Sequence, residues 1–286
     1  MDYEQQIQEK KSKNRFYSAL GLMIRVEILK MSILRTNQRH YTMLSRYLIP
    51  IVASTALLVG CGEPANKDIV LHYDFNDVVE ETVIDNGPYE ANAILMNGAT
   101  VSNSILSLGQ NDGYLDMSPV AGTVMQDLTD FSVSAIYRLD PSEQIRGYGY
   151  FLWCFSDLEA NAAKEGPYHA FRINEQRCET STGGYTNETG VQTGTVAAAG
   201  SWTSVIFRQQ DGHGELLING KVVDSADGFP APSEIFASTP WYNWIGRPPF
   251  KGDHYLHGVD VYDFRIYKVC IDDKEVSSLV SIAQQL

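Results

Sequence analysis

The longest strand-like pattern of this chain is Gly258-Val259-Asp260-Val261-Tyr262-Asp263-Phe264-Arg265-Ile266-Tyr267. Apolar and polar residues alternate along it, and alternation is typical of a strand with one buried and one solvated face. The pattern therefore predicts a long half-buried strand near the end of the chain. One predicted face carries Tyr262, Phe264 and Ile266, and the other carries Val261, Asp263, Arg265 and Tyr267.

The segments around this strand predict a β-rich domain that ends in a short helix. Upstream, Asn219-Gly220 separates two apolar runs and indicates a tight hairpin, because both residues tolerate positive φ. Downstream, Asp272 and Glu275 have the spacing of a helix capping box. Strand patterns recur with turn residues between them, as in an all-β sandwich or barrel. These predicted strands cover residues 69–76, 93–95, 104–108, 114–116, 131–139, 149–155, 168–174 and 201–208.

Five short motifs follow one another in a fixed order along the chain. They are residues 71–77 with the turn 85–87, residues 131–135, residues 201–205, residues 217–221, and Trp244-Ile245-Gly246-Arg247 ahead of 258–267. Together they resemble the laminin G-like jelly roll of the concanavalin A-like lectin/glucanase superfamily, over residues 69 to 280. The resemblance implies two antiparallel sheets packed face to face in a jelly-roll sandwich, followed by a short C-terminal helix.

The first 67 residues read as a leader and a tether. Leu58-Val59-Gly60-Cys61 has the layout of a bacterial lipobox, after an apolar run, residues 47–57, that is too short for a comfortable membrane span. Residues 1–60 are therefore interpreted as an upstream extension plus a lipoprotein signal peptide, with Met43 as the expected true start. Residues 61–67 become a tether lipidated at Cys61, and residues 68–286 the β-sandwich. The expected location is the bacterial outer membrane, on the cell surface or the periplasmic face.

Charge and cysteine content narrow the possible partners. Residues 61–286 contain 31 acidic and 13 basic side chains, a net charge near −18. Such a balance argues against nucleic acid or an anionic membrane surface as the partner, since both need a basic footprint. Among the cysteines after Cys61, a Cys154–Cys178 disulfide and three reduced thiols, including Cys270, both remain open.

The sequence favours binding over catalysis. Cleavage of a glycosidic bond needs a carboxylic acid and a carboxylate about 5–9 Å apart. Glu175 and Glu179 surround what reads as a strand end, and Asp260 and Asp263 fall on opposite faces of the predicted strand. No catalytic residue is therefore assigned. A glycoside hydrolase and an envelope protein-interaction scaffold remain as alternatives.

Aromatic and polar residues supply the candidate binding site. Sugars are held by aromatic faces together with a few polar groups that match their hydroxyls. We expect Trp202 and Trp244 in the core and assign a poly- or oligosaccharide as the ligand. The candidate ligand-binding residues are Trp241, Tyr242 and Arg247 in one segment, and Tyr148, Trp153, His169 and Arg172 in another.

The resemblance also implies one structural calcium ion. Related folds hold it with carboxylates and carbonyls at strand ends, and oxygen ligands of this kind suit Ca²⁺. Asn76, Asp77 and Asp263 are the candidate ligands, because the first and last strands of this fold lie close together. The leading hypothesis is thus a lipid-anchored, extracytoplasmic jelly-roll module that binds carbohydrate without cleaving it.

Overall fold

The computed structural model describes residues 67–157, 166–236 and 242–286. The predictions for the signal peptide, the lipidated cysteine and Trp241 lie outside these residues. Within them, the predicted all-β class is confirmed: the strands form two antiparallel sheets packed as a sandwich, with a C-terminal helix. No helix of the described ranges is long and apolar enough to span a membrane.

Sheet A is built around the last long strand. Its strand order is β15 (Lys221–Asp227), β14 (His213–Ile218), β13 (Thr203–Gln210), β8 (Phe131–Leu139), β17 (Val259–Tyr267), β6 (Ile105–Ser107) and β5 (Thr100–Ser102). The first strand, β1 (Ile69–Tyr73), also pairs with β17, along its C-terminal half. The chain therefore closes its first and last strands against each other, as the resemblance implied.

Sheet B faces sheet A. Its strand order is β12 (Glu188–Gln192), β11 (Arg177–Ser181), β10 (Tyr168–Arg172), β9 (Phe151–Ser156), β16 (Tyr242–Ile245), β7 (Tyr114–Asp116), β4 (Ala93–Met96), β3 (Thr82–Val83) and β2 (Val78–Val79). The inward-facing side chains of both sheets form one apolar core. Those of β8 belong to it as predicted: Phe131, Val133, Ala135, Tyr137 and Leu139.

Strand β17 contains a β-bulge that the alternation in its sequence did not indicate. The register of β17 against β8 shifts between Val261 and Asp263, so that Tyr262 is an extra residue. Two residues of one strand then oppose one residue of its neighbour, and the alternation changes phase. Val261 consequently points into the core together with Phe264 and Ile266. The prediction that Tyr262 shares the face of Phe264 and Ile266 is wrong.

The hairpin and the C-terminal helix agree with their sequence signals. Asn219 and Gly220 have φ of 51° and 77°, as their turn requires. Helix α3 (Asp273–Gln285) is capped by the Asp272 carboxylate, which accepts the Glu275 N–H at 2.9 Å. The Glu275 side chain does not complete the box; it accepts a hydrogen bond from Tyr267 at 2.8 Å. Apolar residues of α3 cover the outer face of sheet A.

Two further helices were not predicted. Helix α1 (Ser118–Gln126) begins with a proline in its first turn, and helix α2 (Pro232–Ile235) also begins at one. Ala121 and Met125 of α1 join the core. Both helices are short interruptions between strands, and their apolar residues did not stand out against the strand patterns on either side.

Cys154, Cys178 and Cys270 are free thiols, so of the two open alternatives the structure agrees with the one without a Cys154–Cys178 disulfide. Cys178 lies in the core between the sheets, whereas Cys154 packs with Phe151 and Phe250 on the other side of sheet B. Side chains on opposite faces of one sheet diverge, and this geometry prevents a bridge. Cys270 is only half-buried.

Candidate functional site

The strand register brings aromatic, charged and small side chains together on the outer face of sheet B, the face turned away from sheet A. Side chains of one face repeat every second residue, so paired positions form rows across the strands. One row runs Ser181, Tyr168, Ser156, Tyr242; the next runs Glu179, Ala170, Cys154, Trp244, Asp116. The small residues lie in the middle, and Phe250 packs over them with its ring centre 5.4 Å from that of Tyr168.

On one side of Phe250 lies an aromatic cluster, which we define as Tyr114, Tyr242, Trp244, Arg247 and Tyr255. Ring centres of Trp244 lie 5.5 Å from Tyr242 and 6.3 Å from Tyr114, and Tyr114 lies 6.1 Å from Tyr255. Trp244 is buried, as expected, while Tyr242 and Tyr255 remain partly exposed at the edge. The cluster therefore presents the partly exposed rings of Tyr242 and Tyr255 beside the buried rings of Trp244 and Tyr114.

The guanidinium of Arg247 packs over two of these rings. Its guanidinium carbon is 4.1 Å from the ring centre of Trp244 and 5.1 Å from that of Tyr114, both within cation–π range. Its Nη1 donates to the Tyr114 hydroxyl at 3.1 Å. Burial raises the pKa of Tyr255, and a hydrogen bond with Arg247 partly opposes this rise. Among the described residues, no carboxylate forms an ion pair with Arg247.

On the other side of Phe250 lies a charged cluster, which we define as Arg172, Glu175, Arg177, Glu179 and Glu188. The Nε of Arg177 is 2.6 Å from Glu179, and its Nη2 is 2.8 Å from Glu188. Arg172 lies 2.7 Å from Glu175 and 3.4 Å from Glu179. Burial raises the pKa of Glu179 to about 8, and Glu188 adds to the rise, although both arginines oppose it.

The sequence interpretation missed this carboxylate pair. It placed Glu179 at a strand end, but Glu179 lies in the middle of β11 and is fully buried. Glu188 comes from the next strand and meets the same arginine, so no pattern within one strand could reveal it. The alternation of Arg177, Glu179 and Ser181 on one face was the available signal.

The prediction that Asp260 and Asp263 lie on opposite faces of their strand is wrong. They share a face, because the bulge in β17 lies between them.

Two of the predicted ligand residues lie inside the sandwich. Trp153 is fully buried and stacks on Phe171 with ring centres 4.8 Å apart. His169 is also buried, between Phe131 and Phe207, and burial lowers its pKa to about 3. Both face the core, since the register of β9 and β10 turns these positions inward, so neither contributes to the outer face of sheet B.

The other predicted ligand residues are spread over the surface. Tyr242 and Arg247 meet in the aromatic cluster, and Arg172 belongs to the charged cluster. Tyr148 lies in the loop before β9 with 75% of its surface exposed. Its neighbour Tyr150 turns inward and stacks on His254, with ring centres 5.3 Å apart. The sequence analysis did not assign Tyr114, which is 133 residues from Arg247 along the chain. It also did not assign Tyr255, which lies outside any predicted strand.

Two of the three candidate calcium ligands, Asp263 and Asn76, are engaged by other side chains. Asp263 accepts hydrogen bonds from His72 and Arg265 at 2.9 Å. Burial disfavours its charge, but these two partners outweigh burial and hold its pKa below the usual range. A guanidinium in contact with the carboxylate would repel Ca²⁺. Asn76 bonds instead to Asp74 and Ser104, and the described part of the chain contains no cluster of metal-binding side chains.

Comparison with known families agrees with this architecture. Residues 109–277 match the laminin G family model of the concanavalin A-like lectin/glucanases superfamily. The chain belongs to this superfamily. No curated protein sequence matches the chain.

Solved structures with the same fold include larger proteins. A W1252A mutant of a D/C HCR has a TM-score of 0.55 and 16% identity, over 77% of this chain and 53% of that one. Botulinum neurotoxin type C, whose cell entry depends on two ganglioside molecules, has a TM-score of 0.52 and 14% identity, over 77% of this chain and 52% of that one. Trypanosoma rangeli sialidase with 2,3-difluorosialic acid has a TM-score of 0.53 and 18% identity, over 90% of this chain and 39% of that one. The chain thus spans about half or less of each, and the similarity shows the fold.

Proposed function

We propose that this protein binds carbohydrate through the aromatic cluster on the outer face of sheet B, without cleaving it. The observation that carries the proposal is the grouping of three tyrosines, a tryptophan and an arginine on one sheet face. Aromatic rings stack against the C–H faces of sugars, and the phenol and guanidinium groups can hydrogen-bond to ring hydroxyls. The cluster combines both kinds of contact in one place.

The comparisons support a sugar as the ligand class. The superfamily is named for lectins and glucanases. Among the neighbours in fold, one neurotoxin depends on gangliosides, and one sialidase was solved with a sialic acid derivative. A shared fold alone hosts many functions, so the proposal depends on the aromatic cluster of this chain.

Binding can be tested by electrophoresis of the full chain through gels that contain different polysaccharides. At least one glycan is expected to retard the protein. Replacing Tyr242 by Ala should weaken that retardation by about tenfold, since stacking on one ring contributes roughly 1 kcal/mol or more. Tyr89→Ala is the matched control, because Tyr89 is 56% exposed and outside the cluster. Unretarded migration in every gel would refute the proposal.

We also propose that the protein is lipid-anchored at Cys61 in a bacterial outer membrane. The lipobox Leu58-Val59-Gly60-Cys61 and the preceding apolar run support this location. Cells that express the protein and are fed labelled palmitate should label it, and Cys61→Ser should abolish the label. Fractionation should find the labelled protein in the outer membrane. Equal labelling of the Cys61→Ser variant would contradict the anchor.

A second candidate function is glycoside hydrolysis, and one observation favours it. Glu179 has a pKa of about 8, as a general acid requires, and Glu188 meets the same arginine. Against it, Glu179 is fully buried and both carboxylates are occupied by Arg177. Incubation with β-glucans and arabinans followed by chromatography should show no products. Products that disappear in Glu179→Gln would establish the hydrolase.

A further inference from the structure

The arginines of the described residues differ in one respect, namely whether a carboxylate neutralises them. Those with an ion-pair partner within the protein are Arg138, Arg172, Arg177, Arg208 and Arg265. Arg146 has none and extends into solvent from a loop. Arg247 also has none, yet it is half-buried and held in place by aromatic rings.

Arg138 shows how this protein treats an arginine on a tryptophan. Its guanidinium carbon lies 4.8 Å from the ring centre of Trp202, and its Nη2 donates to Asp260 at 2.6 Å. Arg247 has the same stacking on Trp244, at 4.1 Å, but no carboxylate completes it. Its Nε is buried without a hydrogen-bond partner. In both pairs a guanidinium lies over a tryptophan ring, and only Arg138 also has a carboxylate partner.

The missing anion is notable because the chain is strongly acidic. The full chain carries a net charge of −13, with 35 acidic and 22 basic side chains, yet no carboxylate of the described residues pairs with Arg247. A guanidinium is a planar fork of donors that fits carboxylate, sulfate and phosphate groups better than neutral acceptors. Held rigid on Trp244 and Tyr114, the Arg247 fork is already ordered, so an anion would bind it with little loss of side-chain entropy.

We propose that Arg247 makes the aromatic cluster selective for acidic glycans, whose carboxylate or sulfate group pairs with its guanidinium. The inference rests on the proposed carbohydrate binding and adds the substrate class. The sugar ring packs beside Tyr242 or Tyr255, and the acidic substituent supplies the charge that Asp260 supplies to Arg138. Binding must then overcome the repulsion between a polyanionic ligand and an acidic protein, so a cation within the cluster is needed to hold the acidic group.

The test uses ligands that differ only in charge. The full chain is run through gels containing polygalacturonate or its fully methyl-esterified form, and in parallel dextran sulfate or dextran. Retardation by one of the two acidic polymers, at least tenfold stronger than by its neutral counterpart, is expected. The pair that shows the difference identifies the acidic group as carboxylate or sulfate.

Variants then assign the selectivity to Arg247. Arg247→Met should reduce retardation by the acidic polymer about tenfold or more, and it should reduce retardation by the neutral polymer by a clearly smaller factor, because the neutral polymer loses a hydrogen bond but no charge pair. Arg138→Met is the matched control, because it removes the same charge and the same stacking on the opposite sheet, and it should bind like the original protein. A melting curve confirms that each variant is folded.

The outcomes separate the two proposals. Equal binding of acidic and neutral polymers, with Arg247→Met unaffected, overturns the selectivity and leaves carbohydrate binding intact. Equal losses in Arg247→Met and Arg138→Met also overturn it, because the effect is then one of net charge. No retardation by any polymer, acidic or neutral, overturns carbohydrate binding itself and the selectivity with it.

Discussion

On the outer face of sheet A, helix α3 packs against Ile206, Leu217 and Tyr267, whereas the outer face of sheet B carries the aromatic cluster and the charged cluster. The arginines of sheet A are all neutralised within the protein, Arg138 by Asp260 and Arg265 by Asp263. Among the described residues, Arg247 beside sheet B has no such partner. Helix α3 covers the outer face of sheet A, whereas on the outer face of sheet B the guanidinium of Arg247 is the group that we propose binds an anionic ligand.

The difference has an energetic basis. Apolar side chains between α3 and sheet A leave water entirely, which stabilises the fold but allows no further partner. The clusters on sheet B consist of rings, guanidinium groups and carboxylates, which contribute less to stability than an apolar interface of the same size. The outer face of sheet A therefore contributes mainly to stability, whereas the outer face of sheet B carries the proposed binding site.

The largest change in stability is expected on the outer face of sheet A, where helix α3 packs. Leu279 of α3 is fully buried against sheet A, so Leu279→Ala should lower the free energy of unfolding by about 2–5 kcal/mol. Denaturant unfolding measures the loss. Ser278→Ala, on the exposed side of the same helix, should change it by less than about 0.5 kcal/mol. Glycan retardation of folded Leu279→Ala should equal that of the original protein; weaker retardation would mean that sheet A contributes to binding.

The next effect concerns the charged cluster on sheet B. Glu179 has a pKa of about 8 in the folded protein, above its ordinary value, so the folded state holds a proton that the unfolded state releases. Stability therefore falls as pH rises toward 8. His169 has the opposite effect, because burial lowers its pKa from 6.5 to about 3 and stability therefore rises with pH between these two values. Between pH 6.5 and 8 the contribution of His169 is constant, so the change due to Glu179 is measured in this window.

Thermal unfolding across that window measures the slope. The melting temperature should fall by about 2–4 °C for each 1 kcal/mol lost in a domain of this size. Glu179→Gln should flatten the slope, since glutamine keeps the hydrogen-bonding shape without the titrating proton. Glu81→Gln, at an exposed position, should leave the slope as it is. An unchanged slope in Glu179→Gln would show that arginine pairing keeps the carboxylate charged.

Features that depend on one strand could be predicted from the sequence. Residues 131–139 alternate without interruption, and β8 has the predicted bounds and core face. The Asn219-Gly220 turn needs only its own two residues to take positive φ. The bulge at Tyr262 could not be predicted, because it is a mismatch between two strands. Strict alternation within β17 gave no sign of it.

The candidate site was less predictable for the same reason. Tyr242 and Arg247 lie close in sequence and were identified, but Tyr114 is 133 residues from Arg247 and reaches it only through strand pairing. Glu179 and Glu188 likewise meet on Arg177 from neighbouring strands. Trp153 and His169 were misplaced because a residue's face depends on the register of β9 with β10, which the alternation of one strand leaves undetermined.

The smallest expected effect compares the two arginine–tryptophan pairs without ligand. Arg138→Met loses an ion pair and a cation–π contact, both partly exposed, and should cost about 0.5–1 kcal/mol in the free energy of unfolding. Arg247→Met loses no ion pair but loses two cation–π contacts and the hydrogen bond to Tyr114, so its cost should be similar. Adding the acidic polymer should then raise the melting temperature of the original protein and of Arg138→Met, but not of Arg247→Met, because only a folded state that binds ligand is stabilised by it. A polymer that stabilises all three proteins equally would place the anion-binding group outside the aromatic cluster.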